Sequence, residues 1–435
     1  MKRLQTRALI GSAWTLLGFG SQKFIQLASN LILTRLLFPE AFGLITLANV
    51  LLIGLGMFSD IGIKPSIVQL QDGDTVDFLN TAWTLQVARG FVLWGAACAL
   101  AYPVALVYGQ PILLPVICAL GATAAINGFS TTALAVKEKK IDFATLILVQ
   151  TASSFLSLCV TTILAWVLRS VWALTFGALI SAFINVLIGY VAAPSHPHHF
   201  RLQRKALTSM VRFGQWILYS TIATYLSGQG LRAIQGVFIP ISAFGVLSIA
   251  QLIAWMPADL VGQLTSTVGY ASLAELKAKG GDFRSAVHKV RMGALALGIP
   301  LFVALALASN VIISILYDQR YHDAATYLPI LALTGAIAVV PSGYQNALLA
   351  LGKSKLQFWL VLYLAAARIT GITLGFWLGG IFGMLVGDII AVASQYPLVA
   401  MSAYRYGIFD PLCDAGAISA IVASAIGISA LTGVL

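Results

Sequence analysis

Four basic residues stand inside long apolar stretches of the sequence, where a charge is costly to bury. They are Lys23, Arg89, Arg232 and Arg368. On insertion scales a lysine or arginine at the centre of a membrane span costs roughly 2.5 to 3.5 kcal/mol, so each one needs a partner or water. Guanidinium groups match phosphate oxygens through paired hydrogen bonds. The four positions therefore predict a buried site for an anion such as a lipid-linked diphosphate.

Amide side chains lie one or two helical turns from three of these cations. A polar stripe that includes a cation on an otherwise apolar helix indicates a water-filled cavity rather than a lipid-facing surface. Gly371 and Gly375 lie on the face of Arg368 and would let another helix or a lipid headgroup approach closely. The predicted substrate-binding set, cations and amides together, is Lys23, Gln26, Asn30, Gln86, Arg89, Gln229, Arg232 and Arg368.

Three carboxylates offer a competing interpretation of the same pattern. Asp60, Asp259 and Asp388 lie within or near the ends of the apolar stretches, so they could neutralise the buried cations internally. Asp60 and Asp259 fall toward the cytoplasmic ends of their predicted helices, where a capping or gating role fits equally well. Binding of a coupling proton or sodium ion is a further role for this set. From the sequence, internal pairing and a cationic cavity both stay open.

The elements that must position these residues are membrane-spanning helices. Of the 435 residues, 59% are hydrophobic and 9% are charged, and the mean hydropathy is +0.91, whereas an ordinary soluble protein has about 25% charged residues. Apolar stretches of this length must be helical, because lipid offers backbone groups no hydrogen-bond partners. We predict an all-α polytopic membrane protein with no soluble domain. The thirteen predicted spans cover residues 9–36, 41–60, 81–107, 111–134, 143–168, 171–193, 213–238, 243–265, 292–316, 327–350, 357–378, 381–403 and 412–434.

The charge distribution predicts the orientation of these spans. The formal net charge is +11, and with a cytoplasmic N-terminus nineteen Lys and Arg residues fall in inner loops against three in outer loops. Such an excess is typical of cytoplasmic loops. We therefore predict a multi-pass protein of the bacterial inner membrane whose N-terminus is cytoplasmic. Because these loop charges set topology, no nucleic-acid partner is expected.

A phrase that occurs twice predicts two related lobes. The segment "FPEAFGLITLANVL" begins at Phe38 and "IPISAFGVLSIAQLI" begins at Ile239, and aligning Phe42 with Phe244 brings them into register. Further along, "AVKEKKIDF" matches "ALGKSKLQF" in the same order. Each half then holds six spans, so the repeat is parallel, as in transporters that rock two bundles about a central site. The predicted domains are an N-terminal lobe at 1–193, a basic cytoplasmic linker at 194–212, a C-terminal lobe at 213–403 and an additional helix within 404–435.

Two of these segments resemble a known family. The stretch "LILTRLLFPEAFGLITLANVL" (31–51) resembles the first two helices of the polysaccharide-transport family, the Wzx-like flippases of the multidrug/oligosaccharidyl-lipid/polysaccharide exporter superfamily. The stretch "ILYDQRYHDAATYLPILAL" (315–333) resembles the segment that enters the tenth helix of the same family. In that family the seventh helix often carries an Asp-Arg pair. This chain has Leu231 before Arg232, so the acidic partner is missing there.

The resemblance implies a fold and a function. The fold would be two six-helix lobes in a V-shaped arrangement, although thirteen spans depart from the usual twelve or fourteen. The implied function is to carry an undecaprenyl-diphosphate-linked oligosaccharide from the cytoplasmic to the outer leaflet by alternating access, for O-antigen, capsule or exopolysaccharide synthesis. The expected partners are this lipid-linked oligosaccharide, the bilayer and other membrane proteins of polysaccharide assembly. Basic residues line the cavity of such flippases.

Two other functions compete with the flippase. An ion-coupled multidrug exporter would present buried carboxylates to cationic drugs, whereas here cations outnumber acids within the spans. A membrane enzyme of polysaccharide assembly would need catalytic groups on a sizeable outer loop, and the longest predicted outer loop, around 317–326, has about ten residues. We therefore predict a transporter and not an enzyme.

No metal or cofactor is expected from the sequence. The four cysteines form no CxxC pair, and three of them stand inside apolar spans, as small packing residues do. The histidines of "SHPHHF" (195–200) have no acidic or cysteine ligand nearby, so a metal site there is not predicted. The cysteines are Cys98, Cys118, Cys159 and Cys413.

Overall fold

The computed structural model describes residues 2–140, 142–194, 198–265 and 282–432. For 2–16, 211–220, 222–224, 227, 264 and 430–432 it describes the backbone alone. These residues are overwhelmingly helical, and no β-strand occurs among them. The predicted all-α membrane fold is confirmed. The chain divides into two compact units, Met1–Ile222 and Ala223–Leu435.

The first unit is built from paired long helices. α4 packs against α5, α7 packs against both α8 and α1, and α5 contacts α2 and α8. A short 3₁₀ helix, Gln71–Asp74, precedes α4. The helices are α1 (Lys2–Leu36), α2 (Pro39–Phe58), α3 (Ile63–Gln69), α4 (Val76–Val107), α5 (Leu113–Gly128), α6 (Ala133–Lys139), α7 (Phe143–Leu168) and α8 (Val171–Ala192), followed by α9 (Arg204–Phe238), which continues into the second unit.

The second unit is organised around one central helix, Ala324–Ala350, whose most apolar 18-residue window is 72% buried. This helix contacts four long neighbours and one short one. Another 3₁₀ helix, Gln319–Tyr321, lies before it. The helices are α10 (Ile241–Leu264), α11 (Phe283–Leu307), α12 (Ser309–Leu316), α13 (Ala324–Ala350), α14 (Ser354–Arg405) and α15 (Pro411–Thr432).

The thirteen predicted spans all fall on helices, although not one to each helix. Nine helices of the described chain are long and apolar enough to cross a membrane, or ten if α5 and α6, bent by 63° at their junction, form one broken span. α14 has 52 residues, about 78 Å at 1.5 Å per residue, which is more than twice the thickness of a bilayer core. It therefore holds two predicted spans, and it breaks at Gly379 and Gly380. α1 and α9 carry the first and seventh spans.

Both copies of the repeated phrase lie at the start of a helix. Pro39 is the first residue of α2, and Pro240 caps the N-terminus of α10. The second pair of matched segments also occupies equivalent places, at the α6–α7 and the α13–α14 junctions. The internal repeat and the domain boundaries drawn from it stay predictions. α15 packs against α11 and α13 of the second unit.

The linker that the sequence predicts after α8 is partly docked on the first unit. We call residues 198–203 the linker strap. Alternate backbone N–H groups of the strap donate hydrogen bonds to side-chain oxygens on the first turns of α4. The pairs, at 3.0 to 3.1 Å, are His199 to Asn80, Arg201 to Thr84 and Gln203 to Thr81. Because α9 begins at Arg204, the last part of the predicted linker is already helical.

His198 anchors the start of the strap among aromatic rings. Its ring stacks on Trp83 with centroids 5.4 Å apart, and Tyr190 meets it edge-on at 5.8 Å. Its Nε2 lies 3.3 Å from the Thr131 hydroxyl. Burial lowers the pKa of His198, and the adjacent His199 acts in the same direction. The ring is therefore neutral at pH 7, the form that is least costly to bury against indole.

Replacing Thr81 and Thr84 together with valine is expected to loosen the linker strap. Valine keeps the side-chain volume but removes the oxygens that accept from Gln203 and Arg201. Each such hydrogen bond contributes about 0.5 to 1.5 kcal/mol. We expect tryptic cleavage after Arg201 in detergent-purified protein to become roughly tenfold faster. Thr75→Val, which removes an exposed hydroxyl outside the strap, should leave the rate unchanged, and an unaltered rate in the double variant would contradict the docking.

Candidate functional site

A cavity of about 510 Å³ lies within the second unit, between the C-terminal half of α9 and helices α10, α13 and α14. Its volume is in the range of small-molecule sites. Its wall carries three charged side chains and several amides on an apolar background. The polar residues that matter below are Gln229, Arg232, Gln235, Gln251, Gln345, Asn346, Arg368 and Asp388.

Arg368 and Asp388 form a two-point ion pair in the wall of this cavity. Arg368 Nε lies 2.6 Å from one carboxylate oxygen of Asp388, and Nη2 lies 2.7 Å from the other. The two side chains are 11% and 6% exposed. Paired charge-assisted hydrogen bonds of this kind fix both groups in direction as well as in distance. The pair is electrically neutral as a whole.

Glycines bring the two halves of α14 close enough to make this pair. Gly371 faces the carbonyl of Gly387, and Gly375 faces Gly383, so a Cβ at any of these positions would overlap backbone atoms. The chain reverses between them at Gly380, where φ is +59°, a conformation that glycine adopts without strain. The two glycines beside Arg368 therefore admit another helix segment.

Arg232 is the cavity's uncompensated charge. It forms no hydrogen bond or ion pair with any described residue, in contrast to Arg368. Gln229, one turn earlier on α9, lines the same wall, and its Oε1 is buried without a donor in reach among the described residues. The lining charges thus leave the cavity with one net positive charge, which suits an anion.

The predicted site residues of the first unit make local contacts. Lys23 Nζ lies 3.4 Å from Gln26 Oε1, and Asn30 is buried on the same helix. The Gln86 amide lies 3.1 to 3.2 Å from three backbone carbonyls at and just beyond the end of α5. Gln86 therefore ties α4 to α5, a packing role that its spacing from Arg89 does not reveal.

Arg89 binds the C-terminal end of α2. Its guanidinium donates to the Ser59 hydroxyl at 2.9 Å and to the Gly56 carbonyl at 2.6 Å, and lies 3.9 Å from Asp60. A cation at this end of a helix is favoured by the helix dipole. Asp60 also accepts from the Gly62 N–H, so the capping alternative for this carboxylate agrees with its geometry.

The structure brings together half of the predicted cationic set. Gln229, Arg232, Arg368 and Asp388 all line the cavity of the second unit. Asp259 lies on an exposed part of α10 and does not line it. For Arg368 the two alternatives left open by the sequence hold together, because it faces a cavity and is paired with a carboxylate.

A buried ionic cluster escaped the sequence analysis. Arg291 and Asp414 form an ion pair, and each residue is 1% exposed. The hydroxyls of Tyr344 and Tyr396 donate to Asp414 at 2.9 and 2.8 Å, and the guanidinium stacks on the Tyr344 ring at 3.5 Å. We call these four residues the α15 anchor. Arg291 directly precedes a predicted span, so its charge was assigned to a loop.

Three cavity residues were also missed. Trp255, Gln345 and Asn346 line the cavity beside Arg232, yet none of them stands at helical spacing from a cation. Adjacent amides inside a predicted span were the available signal for Gln345 and Asn346. Trp255 gave none, because an aromatic residue within an apolar span most often packs against neighbours.

Known proteins that resemble this chain have names concerned with polysaccharide assembly. A lipopolysaccharide biosynthesis protein WzxC of Escherichia coli (strain K12) is 20% identical over 392 residues, covering 89% of this chain and 79% of that protein. A teichuronic acid biosynthesis protein TuaB of Bacillus subtilis (strain 168) is 20% identical and covers 80% of this chain and 70% of that protein.

Solved structures share the fold at low sequence identity. The lipid II flippase MurJ in an inward closed conformation has a TM-score of 0.70 at 13% identity, with 97% of this chain and 91% of that chain covered. An inward-facing MATE family multidrug transporter has a TM-score of 0.66 at 14% identity, with 95% and 96% covered. The family model described as polysaccharide biosynthesis protein matches residues 32–326. The predicted family resemblance is thereby confirmed, and the chain belongs to the polysaccharide biosynthesis protein family.

Proposed function

We propose that this protein is a flippase that moves a polyprenyl-diphosphate-linked oligosaccharide from the cytoplasmic to the outer leaflet of the membrane. The observation that carries the proposal is the uncompensated Arg232 in a membrane-embedded cavity. A cation without a counter-ion at such a place needs an anionic ligand to offset its desolvation. Family membership and the names of the relatives supply the polysaccharide context.

A diphosphate suits the cavity better than a single carboxylate would. Guanidinium donors bind phosphate oxygens in pairs, and Arg232 has all of its donors available to a ligand. Arg368 lies in the same wall with its guanidinium already oriented by Asp388. A diphosphate that contacts both arginines would share Arg368 with the carboxylate and take Arg232 outright.

Alternating access and a cytoplasmic N-terminus belong to the same proposal. The parallel repeat predicted from the sequence supports rocking of two lobes as the mechanism. The excess of Lys and Arg in alternate loops supports the orientation. Because the carried lipid is anionic only at its head, the polyprenyl tail would remain in the bilayer while the head crosses.

The multidrug exporter is the second candidate, and the cavity argues against it. A cationic drug would need a free carboxylate, whereas both oxygens of Asp388 accept from Arg368. Arg232 would repel such a drug. The multidrug transporter among the solved structures supports the fold and nothing more.

Leaflet analysis of a deletion strain tests the proposal. Lipid-linked oligosaccharide should accumulate on the cytoplasmic leaflet when the gene is deleted, and polymer export should return when the gene is restored. Accessibility of the accumulated sugar to a lectin in right-side-out and inside-out membrane vesicles measures its side. Normal polymer together with altered tolerance of cationic drugs would overturn the flippase in favour of the exporter.

A further inference from the structure

Three amide side chains of the second-unit cavity have hydrogen-bonding groups that the protein leaves unused. Gln229, Gln345 and Asn346 line the wall, and none of them forms a side-chain hydrogen bond with a described residue. Gln229 Oε1 is fully buried. An unsatisfied buried acceptor costs about 1 to 3 kcal/mol, so this oxygen calls for a donor supplied by a ligand.

Neighbouring polar groups of the cavity behave differently, which sets the three amides apart. Gln251 donates to Gln235 at 3.0 Å, so these two amides satisfy one another. The Thr334 hydroxyl donates to the Ile330 carbonyl of its own helix. Unused hydrogen-bonding capacity in this cavity is therefore concentrated on the side chains beside Arg232.

Trp255 adds a flat apolar surface to the same wall. Its side chain lines the cavity and is 46% exposed, and its indole N–H donates to no described residue. An amide offers two N–H donors and a carbonyl acceptor, and a hydroxyl both donates and accepts. A ligand with a ring of hydroxyl groups and one apolar C–H face satisfies both kinds of surface. That is the chemistry of a sugar.

Other ligand classes leave part of this surface unmatched. An inorganic anion would use Arg232 but not the three amides or the indole ring. An apolar ligand would leave the Gln229 oxygen without a donor, and a cation would meet the charge of Arg232. A sugar joined to a phosphate matches all of these groups at once.

We propose that Gln229, Gln345, Asn346 and Trp255 form a saccharide subsite that recognises the first sugar of the lipid-linked substrate, while Arg232 holds the phosphate to which that sugar is joined. This inference rests on the proposed function and adds that the protein itself selects the proximal sugar. The cavity volume of about 510 Å³ is of the size that binds small molecules. Specificity arises because a hydroxyl in the wrong place leaves a buried amide unpaired.

Binding of matched lipid probes to the full chain in lipid nanodiscs tests the subsite. The probes are undecaprenyl diphosphate and the same lipid carrying glucose, galactose or N-acetylglucosamine, and the measured quantity is the ratio of the Kd of the bare lipid to that of each glycolipid. We expect the wild type to bind at least one glycolipid about tenfold or more tightly than the bare lipid. Trp255→Ala and Asn346→Leu should bring this ratio close to one while leaving the Kd of the bare lipid unchanged.

Controls separate this inference from the proposed function. Arg232→Ala should weaken bare lipid and glycolipid by the same factor, whereas Thr334→Val should change neither. A variant that keeps its affinity for the bare lipid is folded, and Gln345→Met replaces any variant that loses both. A wild-type ratio of one for all three sugars, or a ratio that survives the subsite substitutions, overturns the subsite alone. Failure of the wild type to bind any diphosphate lipid overturns the proposed function.

Discussion

Asp414→Ala is expected to lower the free energy of unfolding by about 3 to 5 kcal/mol, because it leaves Arg291 buried without its carboxylate. Both residues are 1% exposed, so water cannot replace the lost partner. Two tyrosine hydroxyls that donate to Asp414 also lose their acceptor. Denaturant or thermal unfolding of the protein in nanodiscs measures the change. Much of the chain's net stability would disappear with this one side chain.

Two comparisons identify the buried charge as the cause. Removing both charges with Arg291→Met and Asp414→Leu should restore much of the stability, since an apolar pair of similar volume often replaces a buried ion pair at little cost. Lys64→Ala breaks the exposed ion pair with Glu138, in which the lysine side chain is 65% exposed, and should change stability by less than about 1 kcal/mol. Equal destabilisation by the single and double anchor variants would contradict the explanation.

Arg232→Ala is expected to abolish most polymer export while leaving the protein in the membrane. The side chain has no partner among the described residues, so its removal leaves no orphaned group behind and stability should hold. Hydrogen bonds to a charged group contribute about 1.5 to 3 kcal/mol, which corresponds to roughly 10- to 100-fold weaker binding of a diphosphate. Export in a deletion strain at matched protein level measures the effect.

Matched substitutions sharpen this second expectation. Arg232→Lys keeps the charge but loses the paired donors, so it should restore export only in part. Arg405→Ala removes an arginine from the exposed end of α14 and should export normally. Wild-type export by Arg232→Ala would show that the charge of the cavity has no part in transport.

The existence of the helices could be predicted from the sequence, whereas some of their ends could not. The run 143–168 coincides with α7, because both of its boundaries are marked by charged residues. α11 begins at Phe283, nine residues before the predicted start at 292. Its first turns are polar and carry three basic residues, so hydropathy alone assigns them to a loop, although Asp282 caps the helix through the Ser285 N–H.

The candidate site was predictable where its partners share one hairpin. Arg368 and Asp388 are 20 residues apart on the two halves of α14, and the intervening glycines mark the turn. The pairing of Arg291 with Asp414 spans 123 residues, and no local pattern specifies which helices meet at that distance. Trp255 and Asn346 reach the same cavity from different helices for the same reason, so only the folded unit reveals them together.

The separation of Arg291 and Asp414 along the chain has a consequence for biosynthesis. At roughly 5 to 20 residues per second, the ribosome needs about 6 to 25 s to make the 123 residues between them. During that interval Arg291 has no carboxylate, and Tyr344 has no acceptor for its hydroxyl. Completion of the second unit therefore waits for α15, the last described helix to leave the ribosome. A nascent chain that stalls before Asp414 would expose an unneutralised arginine to the quality-control proteases of the membrane.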